Sequence, residues 1–161
     1  MPGDSTLVPA LAVAATWMVG VAAIGAWVTT LDPWYRELRK PSWQPPDWAF
    51  GPAWTLIFLC AAIALVLAWR TPGAEHTMLL GIWVTNAILN VTWSVLFFRL
   101  RRPDWALWEV VPLWLSIVWM MVAAGRLDAR AGWLLVPYLA WVTFATVLNR
   151  AIIARNAPFG R

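Results

Sequence analysis

Long stretches without a charged residue dominate this sequence, and they constrain the fold more than any other feature. There are 27 residues between Asp4 and Asp32, 22 between Asp47 and Arg70, 22 between His76 and Arg99, and 19 between Arg130 and Arg150. From Trp105 to Gly125 only Glu109 carries charge. A helix rises about 1.5 Å per residue, so roughly twenty apolar residues cross the ~30 Å hydrocarbon core of a bilayer. The runs are continuous, without period-2 alternation, which excludes a transmembrane β-barrel. Five transmembrane helices are predicted: Leu7–Leu31, Ala49–Trp69, Thr77–Phe98, Trp105–Gly125 and Ala131–Ile153. The expected fold class is all-α: a five-transmembrane-helix bundle, one domain over residues 1–161.

Composition removes the soluble alternatives. Hydrophobic residues make up 61% and charged residues 12%, against about 25% charged in an ordinary soluble domain. The net charge of +4 sits in short gaps between apolar runs, where it orients a membrane protein rather than binds nucleic acid. Loop 1, loop 3 and the C-terminal stretch hold nine Lys and Arg; the N-terminal tail, loop 2 and loop 4 hold three. That bias predicts an outside N-terminus and a cytoplasmic C-terminus. The first run lacks a basic leader and is long enough to span, so it is expected to be a retained helix.

The residues for most chemistries are missing. With one histidine, His76, and one cysteine, Cys60, neither an ordinary protein-built metal site nor a hydrolytic triad can be assembled. No chain of intramembrane acids is present to relay protons. No metal and no required cofactor is expected.

Loop 1 stands apart. Asp32–Trp48 is 17 residues long, and Pro33, Pro41, Pro45 and Pro46 forbid a long helix. Trp34, Tyr35, Trp43 and Trp48 give it two open readings: a structured lid capping a pocket, or an interfacial aromatic belt. On the third span Trp83, Asn86, Asn90, Trp93 and Phe97 recur at spacings of 3 and 4 and share one face. Two amides there must face protein or a cavity, as inter-helix bonds or as ligand contacts. The fifth span carries Pro137, Trp141, Ala145 and Asn149. Pro137 frees the Trp133 carbonyl and bends the helix, and small Ala145 leaves room for a flat group against Trp141. On the second span Gly51 and Pro52 occupy the first turn, and Trp54 projects into the bundle. Glu109 reads either as a helix N-terminal carboxylate or as a polar functional group. Gly81 and Thr85 form a small-xxx-small pair suited to helix association. An interior rich in indoles and poor in polar groups suits a large, flat, apolar ligand such as a tetrapyrrole or a sterol. Without an axial histidine, haem held through iron is disfavoured.

The stretch Trp34-Tyr35, Lys40-Pro41-Ser42-Trp43-Gln44-Pro45-Pro46-Asp47-Trp48 and Gly51-Pro52-Ala53-Trp54 resembles the TspO/MBR family. These are the tryptophan-rich sensory proteins of bacteria, related to the mitochondrial translocator protein. Asn90 with Trp93, Pro137-Tyr138-Leu139-Ala140-Trp141, Ala145 and Leu148-Asn149 extend the resemblance over essentially the whole chain. It implies five transmembrane helices in a homodimer, in a bacterial cell membrane. It also implies a pocket at the cytosolic side, capped by loop 1, for porphyrins such as protoporphyrin IX. Sterols and synthetic isoquinoline or benzodiazepine-type ligands are further implied partners. Carried over by motif, the ligand-binding residues are Tyr35, Pro41, Trp54, Asn90, Trp93, Trp141 and Ala145. Trp54 and Trp141 are also the residues implied in light-dependent porphyrin degradation, the alternative to a receptor, transporter or sensor. A third alternative is a sterol- or lipid-binding dimeric scaffold. The animal members' cholesterol pattern needs a tyrosine after Leu-Asn; here Arg150 follows Leu148-Asn149, so that pattern is absent.

Overall fold

A computed structural model describes residues 5–160. Its helices are α1 (Leu7–Val28), α2 (Pro33–Glu37), α3 (Phe50–Trp69), α4 (His76–Ser94), α5 (Pro103–Leu127), α6 (Ala129–Leu134) and α7 (Val136–Asn156). A 3-10 turn, Asp47–Ala49, leads into α3, and a π-helical turn, Val95–Arg99, prolongs α4. No strand occurs among the described residues. Five segments are long and apolar enough to cross a membrane: Leu7–Val28, Asp47–Trp69, His76–Arg99, Pro103–Leu127 and Ala129–Asn156. The protein is an all-α, multi-pass membrane protein.

The spans form a closed ring. α1 packs on α3 and α4, α4 on α5, α5 on α6 and α7, and α6 and α7 return to α3. Indole N–H groups lock one side of the ring. Trp17 Nε1 donates to the Trp83 carbonyl at 2.8 Å, and Trp83 Nε1 donates to the Ala61 carbonyl at 3.3 Å. Each bond satisfies a donor that hydrocarbon would leave unpaired. On the other side α5 and α6 approach backbone to backbone. A Cβ added at Gly132 would lie 3.0 Å from Gly125 Cα and 3.2 Å from the Met121 carbonyl oxygen, so a larger residue would press the two backbones apart.

Element ends differ from the sequence expectation for identifiable reasons. α1 stops at Val28, before Leu31, because Thr29 turns extended and Asp32 is taken as the cap of α2: its Oδ1 accepts from Tyr35 N at 3.0 Å. α5 starts at Pro103, not Trp105, with proline in the first turn, where its missing N–H costs nothing. That places Glu109 beyond the first turn, so the reading of Glu109 as an N-terminal carboxylate is corrected; Asp104 holds that role. The fifth span is broken rather than merely bent. Leu135 N–H bonds three residues back to Gly132 at 3.2 Å, and α7 restarts with Pro137 in its first turn.

Fifteen tryptophans are divided between two environments. Eight of them, including Trp27, Trp48, Trp108 and Trp133, expose a large share of their surface, as membrane-belt indoles do. The interior is therefore less indole-rich than the count alone suggests. Trp17, Trp34, Trp54, Trp69, Trp83, Trp93 and Trp141 are buried or half-buried.

Candidate functional site

The inward-facing rings gather at the loop 1 end of the bundle. Phe50 and Trp54 stand on the first turns of α3, immediately after loop 1. Tyr138, Trp141 and Phe144 stand on α7, three residues apart, and so share a face. The Trp54 and Trp141 ring centroids are 6.3 Å apart, edge to face. Trp54 also meets Tyr138 at 6.0 Å and Phe58 at 5.1 Å, and Phe50 meets Trp141 at 5.6 Å. On α4, Trp93 stacks on Phe97 at 5.1 Å. Such pairs contribute about 0.5–1.5 kcal/mol each beyond area burial and hold ring planes in fixed orientations.

A directional chain of hydrogen bonds closes the floor of this group. Asn90 Nδ2 donates to the Tyr138 hydroxyl at 3.0 Å, which donates to Asn86 Oδ1 at 3.1 Å. Asn86 Nδ2 donates to Ser116 Oγ at 2.9 Å, whose hydroxyl donates to the Leu113 carbonyl at 2.7 Å. All four side chains are buried. Both amides of the third span thus make inter-helix bonds. Asn90 spends an N–H on Tyr138, so it lies in the floor of the ring group.

Loop 1 folds against the ends of α4 and α7. Arg101 Nη2 pairs with Asp32 Oδ2 at 2.8 Å. Asn156 clamps the loop backbone: its Oδ1 accepts from Arg39 N at 2.8 Å and its Nδ2 donates to the Arg39 carbonyl at 3.0 Å. The buried Tyr35 hydroxyl donates to Asp47 Oδ1 at 3.0 Å, and Lys40 Nζ lies 3.7 Å from the Tyr35 ring centroid. Tyr35 packs on Phe98 at 5.6 Å, Trp34 on Phe97 at 6.2 Å and Trp43 on Phe144 at 5.9 Å. The aromatic loop is therefore turned onto the bundle by at least three of its rings. Burial and the neighbouring Asp47 carboxylate push the Tyr35 hydroxyl above its ordinary range, so it stays a neutral donor. The Tyr35 N–H, then Arg101, hold Asp32 below the ordinary carboxylate range despite some desolvation.

The seven residues carried over by motif fall into two neighbouring groups. Trp54 and Trp141 touch directly and pack against the main core. Tyr35 belongs to a second apolar cluster with Phe97, Ala106, Leu148 and Ile152. Trp93 packs against both clusters and bridges them. Pro41 is buried within loop 1, and Ala145 is half-buried one turn from Trp141. Gln44, which stands within the loop 1 motif but was not singled out from it, and Ser116, which belongs to no motif, also lie in this region. A hydroxyl seven residues from Glu109, on the same face of an apolar helix, was the available clue to Ser116. Among the described residues no group of His, Cys, Asp and Glu is placed to hold a metal ion.

The arrangement matches known proteins along its length. The profile of the TspO/MBR family covers residues 11–155. The chain is 40% identical over 125 residues to the tryptophan-rich protein TspO of Chlorobaculum tepidum, covering 76% of this chain and 79% of the relative. It is 36% identical over 140 residues to the tryptophan-rich sensory protein of Cereibacter sphaeroides, covering 84% and 87%. It is 34% identical over 126 residues to the human translocator protein, covering 76% and 75%. A bundle of five spans, a loop 1 tied to α4 and α7, and this extent of similarity lead to one conclusion: the chain belongs to the TspO/MBR family.

Proposed function

We propose that this protein is a membrane receptor for tetrapyrroles. It holds protoporphyrin IX beneath loop 1 and acts as a stress sensor or carrier of that ligand. The observation that carries the reading is the edge-to-face pair Trp54–Trp141, 6.3 Å between centroids, half-buried and beside the cap formed by Trp43 on Phe144. Indoles at such an angle offer a flat ring one face to stack on and one edge to abut. Tyr35, Pro41, Trp93 and Ala145 complete the walls, and Asn90 with Tyr138 supports the floor. The names of the relatives, sensory protein and translocator protein, fit a receptor or carrier. Titrating protoporphyrin IX into the detergent-solubilised protein tests the reading. Tryptophan emission should be quenched saturably, and Trp54→Phe and Trp141→Phe should each weaken binding about tenfold. Unchanged affinity in both variants would place the ligand elsewhere.

A second reading, light-dependent porphyrin degradation, is favoured by the same contact. Trp54 lies 6.0 Å from Tyr138 and 6.3 Å from Trp141, so an electron drawn from one ring by an excited macrocycle has neighbouring rings to refill it. Catalytic loss of porphyrin under light and oxygen, absent in Trp141→Phe and in heat-denatured protein, would establish it. The arginine and lysine bias supports a cytoplasmic mouth for the site. Gly81 and Thr85, both exposed on α4, support a homodimer through that face. Sterol binding is tested by displacement of porphyrin, which Arg150 in place of tyrosine leads us to expect to be weak.

A further inference from the structure

α7 turns one face to the core and leaves another uncovered. Tyr138, Val142 and Asn149 are buried, whereas Ala140, Thr143, Val147 and Arg150 are exposed. The exposed four recur at spacings of 3, 4 and 3, so they form one stripe. A groove of about 510 Å³ runs along it, lined by Val136, Leu139, Ala140, Thr143, Phe144 and Val147. The hydroxyl of its one polar lining residue is already paired: Thr143 Oγ1 accepts from Trp114 Nε1 at 3.0 Å and donates to the Leu139 carbonyl at 2.8 Å. A polar guest would lose its hydration there without a new hydrogen bond, and hydrocarbon would not.

The length of the groove and the residue at its end identify the hydrocarbon. Eleven residues separate Val136 from Val147, about 16 Å along the helix, close to half of a ~30 Å bilayer core and so to the depth of one leaflet. Three residues past Val147, about 4.5 Å further toward loop 1, stands Arg150 on the same stripe. Among the described residues its guanidinium has no hydrogen-bond or ion-pair partner. Four acids stand in loop 1 and at the start of α5, and three are engaged elsewhere. Asp32 pairs with Arg101, Asp104 pairs with Arg102, and Asp47 accepts from Tyr35, which leaves Glu37. Eight described Lys and Arg stand at this end, so an anion for Arg150 has to come from outside the chain. Arginine at the end of a span reaches the headgroup layer and takes a phosphate through two N–H groups. Trp43, exposed and packed on Phe144 at 5.9 Å, borders the groove toward that layer, where indoles are favoured. We infer that the outer face of α7 is a binding site for an anionic phospholipid, with one acyl chain along the Val136–Val147 groove and the headgroup phosphate on Arg150. The surplus of cations at this end disfavours a choline headgroup.

The full-length protein in detergent is titrated with palmitoyl-oleoyl phosphatidylglycerol and, in parallel, with the phosphatidylcholine of the same chains. Bound lipid is counted by native mass spectrometry. The expected result is one phosphatidylglycerol per chain, held about fivefold more tightly than phosphatidylcholine, the worth of one exposed charge pair. Arg150→Gln should abolish that preference and Arg150→Lys should keep most of it. Arg155→Gln, at the same end but off the stripe, should leave it unchanged. Ala140→Phe, which fills the groove, should weaken both lipids about tenfold. Inorganic phosphate should not displace the lipid. Equal binding of the two lipids to wild type, equal losses in Arg150→Gln and Arg155→Gln, or displacement by phosphate would overturn the site. So would Ala140→Phe with lipid binding intact; loss of a dimer in that variant would then assign the groove to a second copy of the chain. Val147→Phe obstructs the same groove and replaces Ala140→Phe if the latter does not fold. Failure of both to fold would show this face to be packed within the protein, and would also overturn the site.

Discussion

Tyr138 is the residue on which the interior polar network turns. Its hydroxyl accepts from Asn90 and donates to Asn86. Tyr138→Phe removes both bonds at once and strands two buried amides, a loss of about 1–3 kcal/mol. It should lower the thermal midpoint in detergent, whereas Tyr35→Phe, in loop 1, should lower it less. Tyr35 and Asp32 give loop 1 its pH dependence. Asp32 sits below its ordinary value of 3.8, so its contribution is complete above that value and is lost as pH falls through the lower folded one. Tyr35 sits above its ordinary 10.0, so its contribution is complete below pH 10 and is lost as pH rises through the higher folded value. Trp34 and Trp43 emission, read against pH, should stay flat between those limits and change outside them. A change centred near neutrality would contradict this assignment. The amide stripe was legible in the sequence because a 3-4 spacing fixes a helix face. The partner of each amide was not, because spacing within one helix carries no information about Ser116 or Tyr138 on others.

Among the elements, loop 1 shows most clearly how far a sequence reaches. Its four prolines and four aromatic residues ruled out a long helix and a plain linker, yet lid and belt could not be separated. The contacts that fix the loop against the bundle are made by distant residues, which no spacing within the loop reveals: Asn156 on the Arg39 backbone and Arg101 on Asp32. Asn156→Ala removes both backbone bonds of that clamp. It should speed proteolysis of loop 1 several-fold while leaving the helical circular dichroism unchanged. The π-helical turn left no trace in the apolar periodicity. Leu100 N–H reaches Val95 at 2.9 Å and Arg102 N–H reaches Leu96 at 2.9 Å, with Arg101 at φ 54. That wider turn carries Phe97 and Phe98 into loop 1. At the opposite end Gly132→Ala would press a methyl onto Gly125. Overpacking there should cost about 1–3 kcal/mol, seen as a lower melting temperature, while Gly81→Ala, with open space around it, should not.

At the scale of the whole molecule, the charge-free runs were enough to set five spans and an all-α bundle, because a bilayer leaves few other solutions for such segments. The circular order of the spans was not readable, since even the amide stripe of the third span fixes an inward face without saying which helix it meets. The Trp54–Trp141 contact depends on that order: α7 closes the ring onto α3. Two apolar grooves among the described residues lie apart from the Trp54–Trp141 contact. One, of about 510 Å³, runs along α7 past Leu139 and Thr143; the other, of about 320 Å³, lies between α1, α3 and α4 beside Trp17 and Trp83. The most direct test of the account is a structure of the protein with protoporphyrin IX bound, at a resolution that shows loop 1. The macrocycle should lie within contact distance of both Trp54 and Trp141, with Trp43 and Pro41 above it. A macrocycle seated in either groove, with Trp54 and Trp141 still in contact with each other, would contradict it.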